Sequence, residues 1–249
     1  MKNISYMNSN KIKVGMILAA GFGNRLKPLT LTTPKPLIKV RDKALIDYAI
    51  GHLYSVGIRK IIVNTHYLAD QIHTHLEKYR ATDIEIIISH EKELLETGGG
   101  ILNAMRNIVD EPFLVINSDI FLDKESFTPP LSNLVKTWNP NIMDGLFLLK
   151  NFQHINYSYS GDFNLNETGK LVRSESKNKF IFIGSYIVSP EFFNGYEVQR
   201  LPMNEILFKS TEKDYTKYKF YGLELTSKWF DIGTLERLNS LEAYLKNKK

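Results

Sequence analysis

The sequence predicts an α/β protein built on a doubly wound, mainly parallel sheet, and two observations carry this prediction. Short apolar segments rich in β-branched residues alternate, over the first half of the chain, with segments whose apolar residues recur at helical spacing. This alternation gives crossover connections and a parallel sheet with helices on both faces. Such sheets bind ligands at the carboxyl ends of their strands, so the loops that follow the strands are the predicted location of a functional site.

Four segments of the first half are predicted strands because each is short, apolar and bounded by polar or turn residues. They comprise residues 14–20, 60–65, 84–89 and 113–117. The intervening segments place their apolar residues on one side of a helix, and they comprise residues 45–56, 68–79 and 97–108. Gly57 ends the first of these helices, and Pro112 separates the third helix from the fourth strand.

The pattern changes after residue 125. Shorter strand-like segments, separated by Asn, Gly and Ser, occupy residues 145–150, 161–165, 170–174 and 179–188. An amphipathic helix follows from Leu235 to the end. We expect these strands to extend the same sheet or to form a small lid over it. Residues 1–12 are polar and predicted to form a flexible tail, and residues 13–249 are predicted to form a single domain with halves at 13–124 and 125–249.

Composition excludes several classes of protein. The 249 residues are 43% apolar and 24% charged, which is ordinary for a globular protein and unlike a disordered chain. No segment approaches the ~20 consecutive apolar residues that cross a bilayer. Cysteine is absent, which fits a reducing compartment and leads us to expect a cytoplasmic protein. The net charge is +5, but no block of five basic residues occurs, so small anionic substrates are expected and nucleic acid is not.

The densest chemical signal follows the first strand. The segment LAAGFGNRLKPLT begins at Leu18 and is followed by TPKPL. Gly21 and Gly23 allow the backbone to approach a phosphate, and Arg25 and Lys35 supply cations on the same loop. A polyphosphate needs both kinds of group. The segment is neither the dinucleotide fingerprint, whose third glycine is replaced by leucine, nor a Walker loop, because no Gly-Lys-Ser/Thr follows.

Two aspartates are candidate metal ligands. Asp119 follows the fourth predicted strand, and Asp231 stands in the segment WFDIGTLER near the end of the chain. Either aspartate alone is typical of a turn or a helix cap. Together with phosphate oxygens, two carboxylates make the oxygen-rich, partly hydrated site that Mg²⁺ prefers.

These segments resemble the signature of the sugar-phosphate nucleotidyltransferases. The resemblance rests on GFGNRLKPLT with TPKPL, on LETGGG at residues 95–100, on Asn-Ser-Asp at 117–119 and on WFDIGTLER at 229–237. It extends over nearly the whole chain from about Val14. Within the family it is greatest for the N-acetylmuramate 1-phosphate uridylyltransferases of cell-wall (peptidoglycan) recycling, and mannose- and heptose-1-phosphate guanylyltransferases are close relatives.

The resemblance implies a Rossmann-like fold and an enzyme that joins a sugar 1-phosphate to a nucleoside triphosphate, giving an NDP-sugar and pyrophosphate. It implies that Arg25, Lys35 and Asp119 are catalytic and that Asp119 and Asp231 hold Mg²⁺. Lys35 is expected at the α-phosphate and Arg25 at the departing pyrophosphate. The residues implied to contact the nucleotide are Leu18, Ala19, Ala20, Gly21, Gly23, Arg25, Lys35, Glu91, Thr97 and Gly98.

Glu91 lies where relatives place the side chain that reads the base. A carboxylate only accepts hydrogen bonds, so it can pair with uracil N3–H or with guanine N1–H and N2–H₂. Adenine and cytosine are disfavoured, and the choice between uracil and guanine stays open. The alternative is a solvated loop residue without a role in binding.

The second half is expected to form the sugar-binding lid. Asn117 and Asp162 are the predicted sugar contacts, and the lysine that binds the sugar phosphate is left open between Lys170, Lys177 and Lys228. The preferred substrates are UTP and N-acetylmuramate 1-phosphate, and the alternative is a guanylyltransferase that uses mannose or heptose 1-phosphate. A non-catalytic nucleotide-sensing subunit is a further alternative. We expect a monomer or homodimer whose partners are small molecules.

Overall fold

The structure is a computed structural model that describes residues 12–105, 111–124, 128–152, 161–174, 176–203, 206–207 and 218–248. The strands are Val14–Leu18 (β1), Lys39–Val40 (β2), Lys43–Ala44 (β3), Lys60–Thr65 (β4), Glu85–His90 (β5), Phe113–Asn117 (β6), Ile120–Leu122 (β7), Gly145–Asn151 (β8), Asn164–Leu165 (β9), Leu171–Val172 (β10), Phe180–Val188 (β11), Phe220–Glu224 (β12) and Trp229–Asp231 (β13). The helices are Leu45–Ser55 (α1), Ala69–Leu76 (α2), Glu96–Met105 (α3), Ser132–Thr137 (α4) and Leu235–Asn247 (α5).

A seven-stranded sheet forms the centre of the molecule, with strand order β12-β8-β11-β6-β1-β4-β5. The strands β6, β1, β4 and β5 are parallel, as the alternation of strands and helices predicts. Strand β11 runs antiparallel to both β6 and β8, and β12 is parallel to β8. The predicted doubly wound, mainly parallel sheet is therefore confirmed. The strands β8, β11 and β12 of the second half extend this sheet.

Two hydrophobic clusters cover the two faces of the sheet. Successive residues of a strand point to opposite faces, so Ile17 belongs to one cluster and Met16 to the other. A third cluster lies away from the sheet and includes Leu26 from the loop after β1, Ile232 after β13 and Leu241 from α5. This third cluster holds the first loop of the chain against its last helix.

The structure differs from the sequence prediction at several boundaries. Ile12, assigned to the tail, is buried in the core, and residues 1–11 lie outside the described residues, as does Ile108 of the third predicted helix. Helix α2 ends at Leu76 and is followed by a 3-10 turn at Glu77–Ala81. Strand β12 was not predicted, because its residues are mostly half-buried and do not form an apolar run.

The division into one domain with two halves stays a prediction. No helix among the described residues is long and apolar enough to cross a membrane.

His52 on α1 makes the stability of the fold dependent on pH. Burial, together with the nearby cations Lys43 and Lys124, lowers the pKa of His52 to about 4. The Leu122 N–H also donates to His52 Nε2 at 3.4 Å, which requires an unprotonated nitrogen. An unfolded histidine titrates near 6.5, so between pH 6.5 and 4 the unfolded chain binds more protons than the folded chain.

We therefore expect the free energy of unfolding to fall by up to about 3 kcal/mol as the pH is lowered from 6.5 to 4. Urea unfolding of the wild type and of His52→Gln at several pH values measures this effect. The variant should lose the His52 part of the pH dependence, whereas substitution of the exposed His90 by glutamine should retain it. Parallel pH profiles of the wild type and His52→Gln would contradict the assignment.

Candidate active site

A cavity of about 340 Å³ opens at the carboxyl ends of β1, β4 and β6, and we call it the first cavity. Most of the residues predicted to bind the nucleotide or to act in catalysis line it: Leu18, Ala19, Ala20, Gly21, Gly23, Arg25, Lys35, Thr97 and Asp119. Asn117, a predicted sugar contact, also lines it. Its position agrees with the rule that ligands bind at the carboxyl ends of parallel strands.

The loop between β1 and β2 presents the two cations to the first cavity. Gly23 has a φ of 65°, and a Cβ there would lie 2.9 Å from Thr30 Cγ2 and 3.0 Å from Lys35 Cβ, so glycine allows the loop to fold on itself. The Thr30 hydroxyl donates to the Gly23 carbonyl at 3.0 Å. The fully buried Leu26 anchors the loop in the third cluster. The Arg25 and Lys35 side chains are thus held on a loop that is packed and hydrogen-bonded.

The two predicted metal ligands lie side by side, although 112 positions separate them in the sequence. Strands β7 and β13 pair antiparallel, with Asp231 opposite Ile120, and the Ile232 N–H donates to the Asp119 carbonyl at 2.9 Å. Burial raises the pKa of Asp231, and the neighbouring Asp119 raises it further, while nearby arginine and lysine side chains oppose the shift. The pairing of two short strands therefore creates the acidic side of the site.

Each of these carboxylates is paired with a cation. Lys35 Nζ donates to Asp119 Oδ2, and an Arg237 nitrogen donates to Asp231 Oδ2. The Arg25 guanidinium packs over Gly233, where a Cβ would lie 2.9 Å from its nearest nitrogen. The motifs on which the family resemblance rests, from both ends of the chain, therefore meet in one charged cluster.

The donor set fits a magnesium ion that is shared with phosphates. Among the described residues, no group of three or more His, Cys, Asp and Glu side chains is placed to hold a metal, so two carboxylates are what the site offers. Mg²⁺ commonly binds through one or two carboxylates, waters and substrate phosphates. His73 and His75, which the spacing places on different faces of α2, contact Thr65 and Asp47 respectively and do not meet.

The structure places Glu91, the predicted base-reading residue, outside the first cavity. The Glu91 side chain is buried, with 1% of the residue exposed, and does not line the first cavity. Its Oε1 accepts from Asn64 Nδ2 at 2.7 Å and its Oε2 accepts from the Leu95 N–H at 3.0 Å. Asn64 Oδ1 in turn accepts from the Ala19 N–H at 2.7 Å. Glu91 therefore orients Asn64 behind the nucleotide loop.

Gly98 also lies elsewhere than predicted. Its N–H donates to the Leu201 carbonyl at 2.8 Å, and Gly98 does not line the first cavity. A Cβ at Gly99 would lie 2.0 Å from the Gln199 carbonyl oxygen, and one at Gly100 would lie 2.5 Å from Glu91 Oε1. The three glycines that open α3 therefore make room for neighbouring protein groups.

A second cavity of about 280 Å³ adjoins the first and shares Glu96, Thr97 and Asn117 with it. Asn117 and Asp162, the predicted sugar contacts, both line this second cavity. Asp162 Oδ2 accepts from the Phe182 N–H at 2.9 Å, and burial raises the pKa of Asp162. The remaining wall is mostly apolar and is formed by Phe163, Phe182, Tyr186, Pro202, Met203 and Leu207.

Several lining residues escaped the sequence analysis. Asn64 is the penultimate residue of β4 and Ser118 follows β6, so the rule for strand ends identifies both positions. Glu96 lines both cavities, and its backbone has a φ of 60°. No local sequence pattern indicates either property. The residues Lys170, Lys177 and Lys228, left open for the sugar phosphate, line neither cavity.

Comparison with known proteins decides the family. The model of the nucleotidyl transferase family matches residues 14–248. The chain belongs to this family. The predicted resemblance to sugar-phosphate nucleotidyltransferases is thereby confirmed, and with it the enzyme class at this level.

Two relatives share the name N-acetylmuramate alpha-1-phosphate uridylyltransferase. The one from Neisseria meningitidis serogroup B is 34% identical over 92% of this chain and 96% of its own length, and the one from Caulobacter vibrioides is 34% identical over 72% and 76%. The mannose-1-phosphate guanylyltransferase catalytic subunit beta of Danio rerio is 28% identical over 88% of this chain and 60% of its own length.

Solved structures agree on the fold. A UDP-glucose pyrophosphorylase complexed with UDP-glucose superimposes with a TM-score of 0.74 at 20% identity, covering 96% of this chain and all of that one. HddC from Yersinia pseudotuberculosis, complexed with GMP-PN, superimposes with a TM-score of 0.72 at 22% identity and covers 94% of this chain and all of its own. At these identities the likeness concerns the fold alone.

The contact between Gly99 and residues 199–201 predicts a selective defect in this nucleotidyltransferase. Alanine at position 99 must displace the Gln199 carbonyl, and with it the neighbouring Pro202 and Met203 that wall the second cavity. We expect Gly99→Ala to raise the KM for the sugar 1-phosphate at least ~10-fold, with a smaller effect on the KM for the nucleotide.

Initial rates at varied concentrations of each substrate measure this selectivity. Gly51→Ala is the matched control, because the nearest atom to its Cβ would be Lys43 Nζ at 3.6 Å, an ordinary contact. That substitution should leave both KM values unchanged and stabilise α1 slightly. Unchanged kinetics in Gly99→Ala would mean that residues 199–203 do not shape the sugar site.

Proposed function

We propose that this enzyme transfers a uridylyl group from UTP to N-acetylmuramate 1-phosphate, giving UDP-N-acetylmuramate and pyrophosphate. The observation that carries the proposal is the pair of joined cavities. The first is lined by Arg25, Lys35 and Asp119, with Asp231 beside Asp119 in the charged cluster, and the second holds polar groups on a largely apolar wall. This arrangement suits a triphosphate on one side and a phosphorylated sugar on the other.

The expected reaction is direct attack of a sugar-phosphate oxygen on the α-phosphorus of the nucleotide, with pyrophosphate leaving in line. The attacking oxygen is already ionised at neutral pH, so no general base is needed, and catalysis consists of alignment and charge neutralisation. Lys35 would contact the α-phosphate and Arg25 the departing pyrophosphate. Mg²⁺, held by Asp119 and Asp231, would supply further positive charge at the phosphates.

Lys35 has to change partners during this reaction. Its ammonium group is bonded to Asp119, and both side chains are largely buried. Phosphate oxygens that enter the first cavity would accept the hydrogen bonds of the Lys35 ammonium group. The Asp119 carboxylate would then be available to bind the metal. The polyphosphate and its metal ion therefore replace one set of charge pairs with another.

The choice of UTP and N-acetylmuramate 1-phosphate is supported by the names and coverage of the two uridylyltransferase relatives at 34% identity. The second candidate is transfer from GTP to mannose or heptose 1-phosphate, which the guanylyltransferase relative at 28% identity favours. A purely nucleotide-sensing subunit is disfavoured because Arg25, Lys35, Asp119 and Asp231 are all present and gathered in one site.

Release of pyrophosphate tests the proposal. The enzyme is assayed with UTP, GTP, ATP and CTP, each against N-acetylmuramate, N-acetylglucosamine and mannose 1-phosphates. N-acetylglucosamine 1-phosphate is the matched control, because it lacks only the lactyl ether of the muramate. We expect the highest kcat/KM for UTP with the muramate. Reaction of GTP with mannose 1-phosphate alone would overturn the substrate choice, and absence of pyrophosphate in every pair would overturn the proposed reaction.

A further inference from the structure

Arg237 is a charged residue of the site to which neither the sequence analysis nor the proposed mechanism gives a role. It lies in the first turn of α5, whose N-cap is Thr234, and the Thr234 hydroxyl oxygen accepts a hydrogen bond from the Arg237 N–H at 3.3 Å. The Arg237 guanidinium donates to Asp231, and the two side chains are only 15% and 20% exposed. Ile232, which is fully buried in the third cluster, fixes the connection between the two residues.

The charges of the cluster around Asp231 are unequal. Among the described residues, its charged neighbours are Asp119 and the three cations Arg25, Lys35 and Arg237, so the cluster has three cations and two carboxylates. Both carboxylates that would bind a metal are already bonded to cations. A divalent cation entering alone would have to displace these cations and add to a net positive charge, which is unfavourable in a partly buried site.

A metal ion bound to a triphosphate is attracted to the positively charged cluster, because the complex retains net negative charge. Its phosphate oxygens can accept the hydrogen bonds that Lys35 and Arg237 now donate to the aspartates, which releases both carboxylates. The same charges that exclude the free ion therefore attract the complex.

We infer that Arg237 is a positioning residue that holds Asp231 and releases it only when the metal arrives with the nucleotide. This inference rests on the proposed function. In this role Arg237 keeps the free divalent cation out of the site. A purely structural ion pair at the start of α5 would instead stabilise the helix without affecting metal binding.

The inference is tested by titrating the full-length protein with Mn²⁺. Binding is measured as the loss of the free Mn²⁺ signal in electron paramagnetic resonance. The wild type is titrated with and without a UTP analogue whose α,β-bridging oxygen is replaced by methylene. We expect weak binding of Mn²⁺ to the wild type alone and at least ~10-fold tighter binding to Arg237→Gln alone, since one charged hydrogen bond no longer competes. The additional change Asp231→Asn should abolish that gain.

Two controls separate this role from a structural one. Arg59→Gln removes another ion pair, that of Arg59 with Asp83, which lies outside both cavities, and should not change Mn²⁺ binding. Arg237→Lys retains the charge and should bind free Mn²⁺ more weakly than Arg237→Gln. If Arg237→Gln does not fold, the wild type titrated with and without the analogue still tests the inference.

The outcomes are distinct. Tight binding of Mn²⁺ to the wild type without nucleotide, or equal binding by the wild type and Arg237→Gln, overturns the inference and leaves the proposed reaction standing. Failure of the wild type to bind Mn²⁺ even with the analogue overturns the metal assignment of the proposed function as well as the inference. Pyrophosphate release in the substrate assay then shows whether the proposed reaction itself stands.

Discussion

Lys35→Ala is expected to lower turnover at least ~100-fold, because it removes a positioned positive charge from the wall of the first cavity. The Lys35 side chain is 13% exposed and bonded to Asp119, and within its loop Lys35 packs closely against Gly23. Its ammonium group is therefore held in place before the substrate arrives, which is the condition under which a charge contact contributes most to catalysis. Pyrophosphate release at saturating UTP and sugar 1-phosphate measures the loss.

Lys39→Ala is the matched control. Lys39 lies four positions further along the chain in β2, is exposed and does not line either cavity, so its removal should leave turnover unchanged. The thermal unfolding of Lys35→Ala should remain cooperative, at a lower temperature than in the wild type, because loss of the lysine leaves the largely buried Asp119 carboxylate without this partner. Normal turnover in Lys35→Ala would refute its role at the α-phosphate.

Asp119→Asn is expected to have an effect of similar size, at least ~100-fold on turnover. The substitution keeps the shape of the side chain and removes the negative charge that a divalent cation requires. Its neighbour Asp231 would keep its bond to Arg237. Rates of this variant should stay low over a wide range of Mg²⁺ concentration, because excess Mg²⁺ does not replace the negative charge that Asp119 has lost.

Asp123→Asn provides the comparison for this aspartate. Asp123 follows β7 in the same part of the chain, but it bonds to Tyr244 and Lys248 of the C-terminal region and lines neither cavity. Those bonds lower the pKa of Asp123, so its substitution should reduce the unfolding temperature while leaving turnover near normal. An active Asp119→Asn enzyme with the Mg²⁺ dependence of the wild type would exclude Asp119 as a metal ligand.

The family and most of the first cavity were predictable because their signals are local. The strands β1, β4, β5 and β6 are five or six residues long and each is built around a short apolar run, which is the local signal of a strand in a parallel sheet. Gly23 sits in a backbone conformation that glycine adopts without strain, so its place in the motif reflects geometry within a few residues. Strand β12 is mostly half-buried and does not contain such an apolar run.

The direction of the Glu91 side chain could not be predicted from the sequence. Glu91 follows β5 at the expected edge of the sheet, yet its carboxylate turns inward to Asn64 and to the N–H of Leu95. A sequence position fixes where the backbone passes, whereas the free energy of a buried carboxylate depends on which donors surround it. Those donors belong to other elements and cannot be read from the residues beside Glu91.

By itself, the amino-acid sequence determined the alternation of strands and helices, the cationic loop after β1 and the family to which the chain belongs, because periodicity and short motifs depend on neighbouring residues. Only the tertiary structure decided that Asp119 and Asp231 share one site, that Arg237 bonds to Asp231 and that the glycines of α3 pack against residues 199–201. These contacts join distant parts of the chain. They arise from the pairing of β7 with β13 and from the packing of the third hydrophobic cluster, which no local pattern encodes.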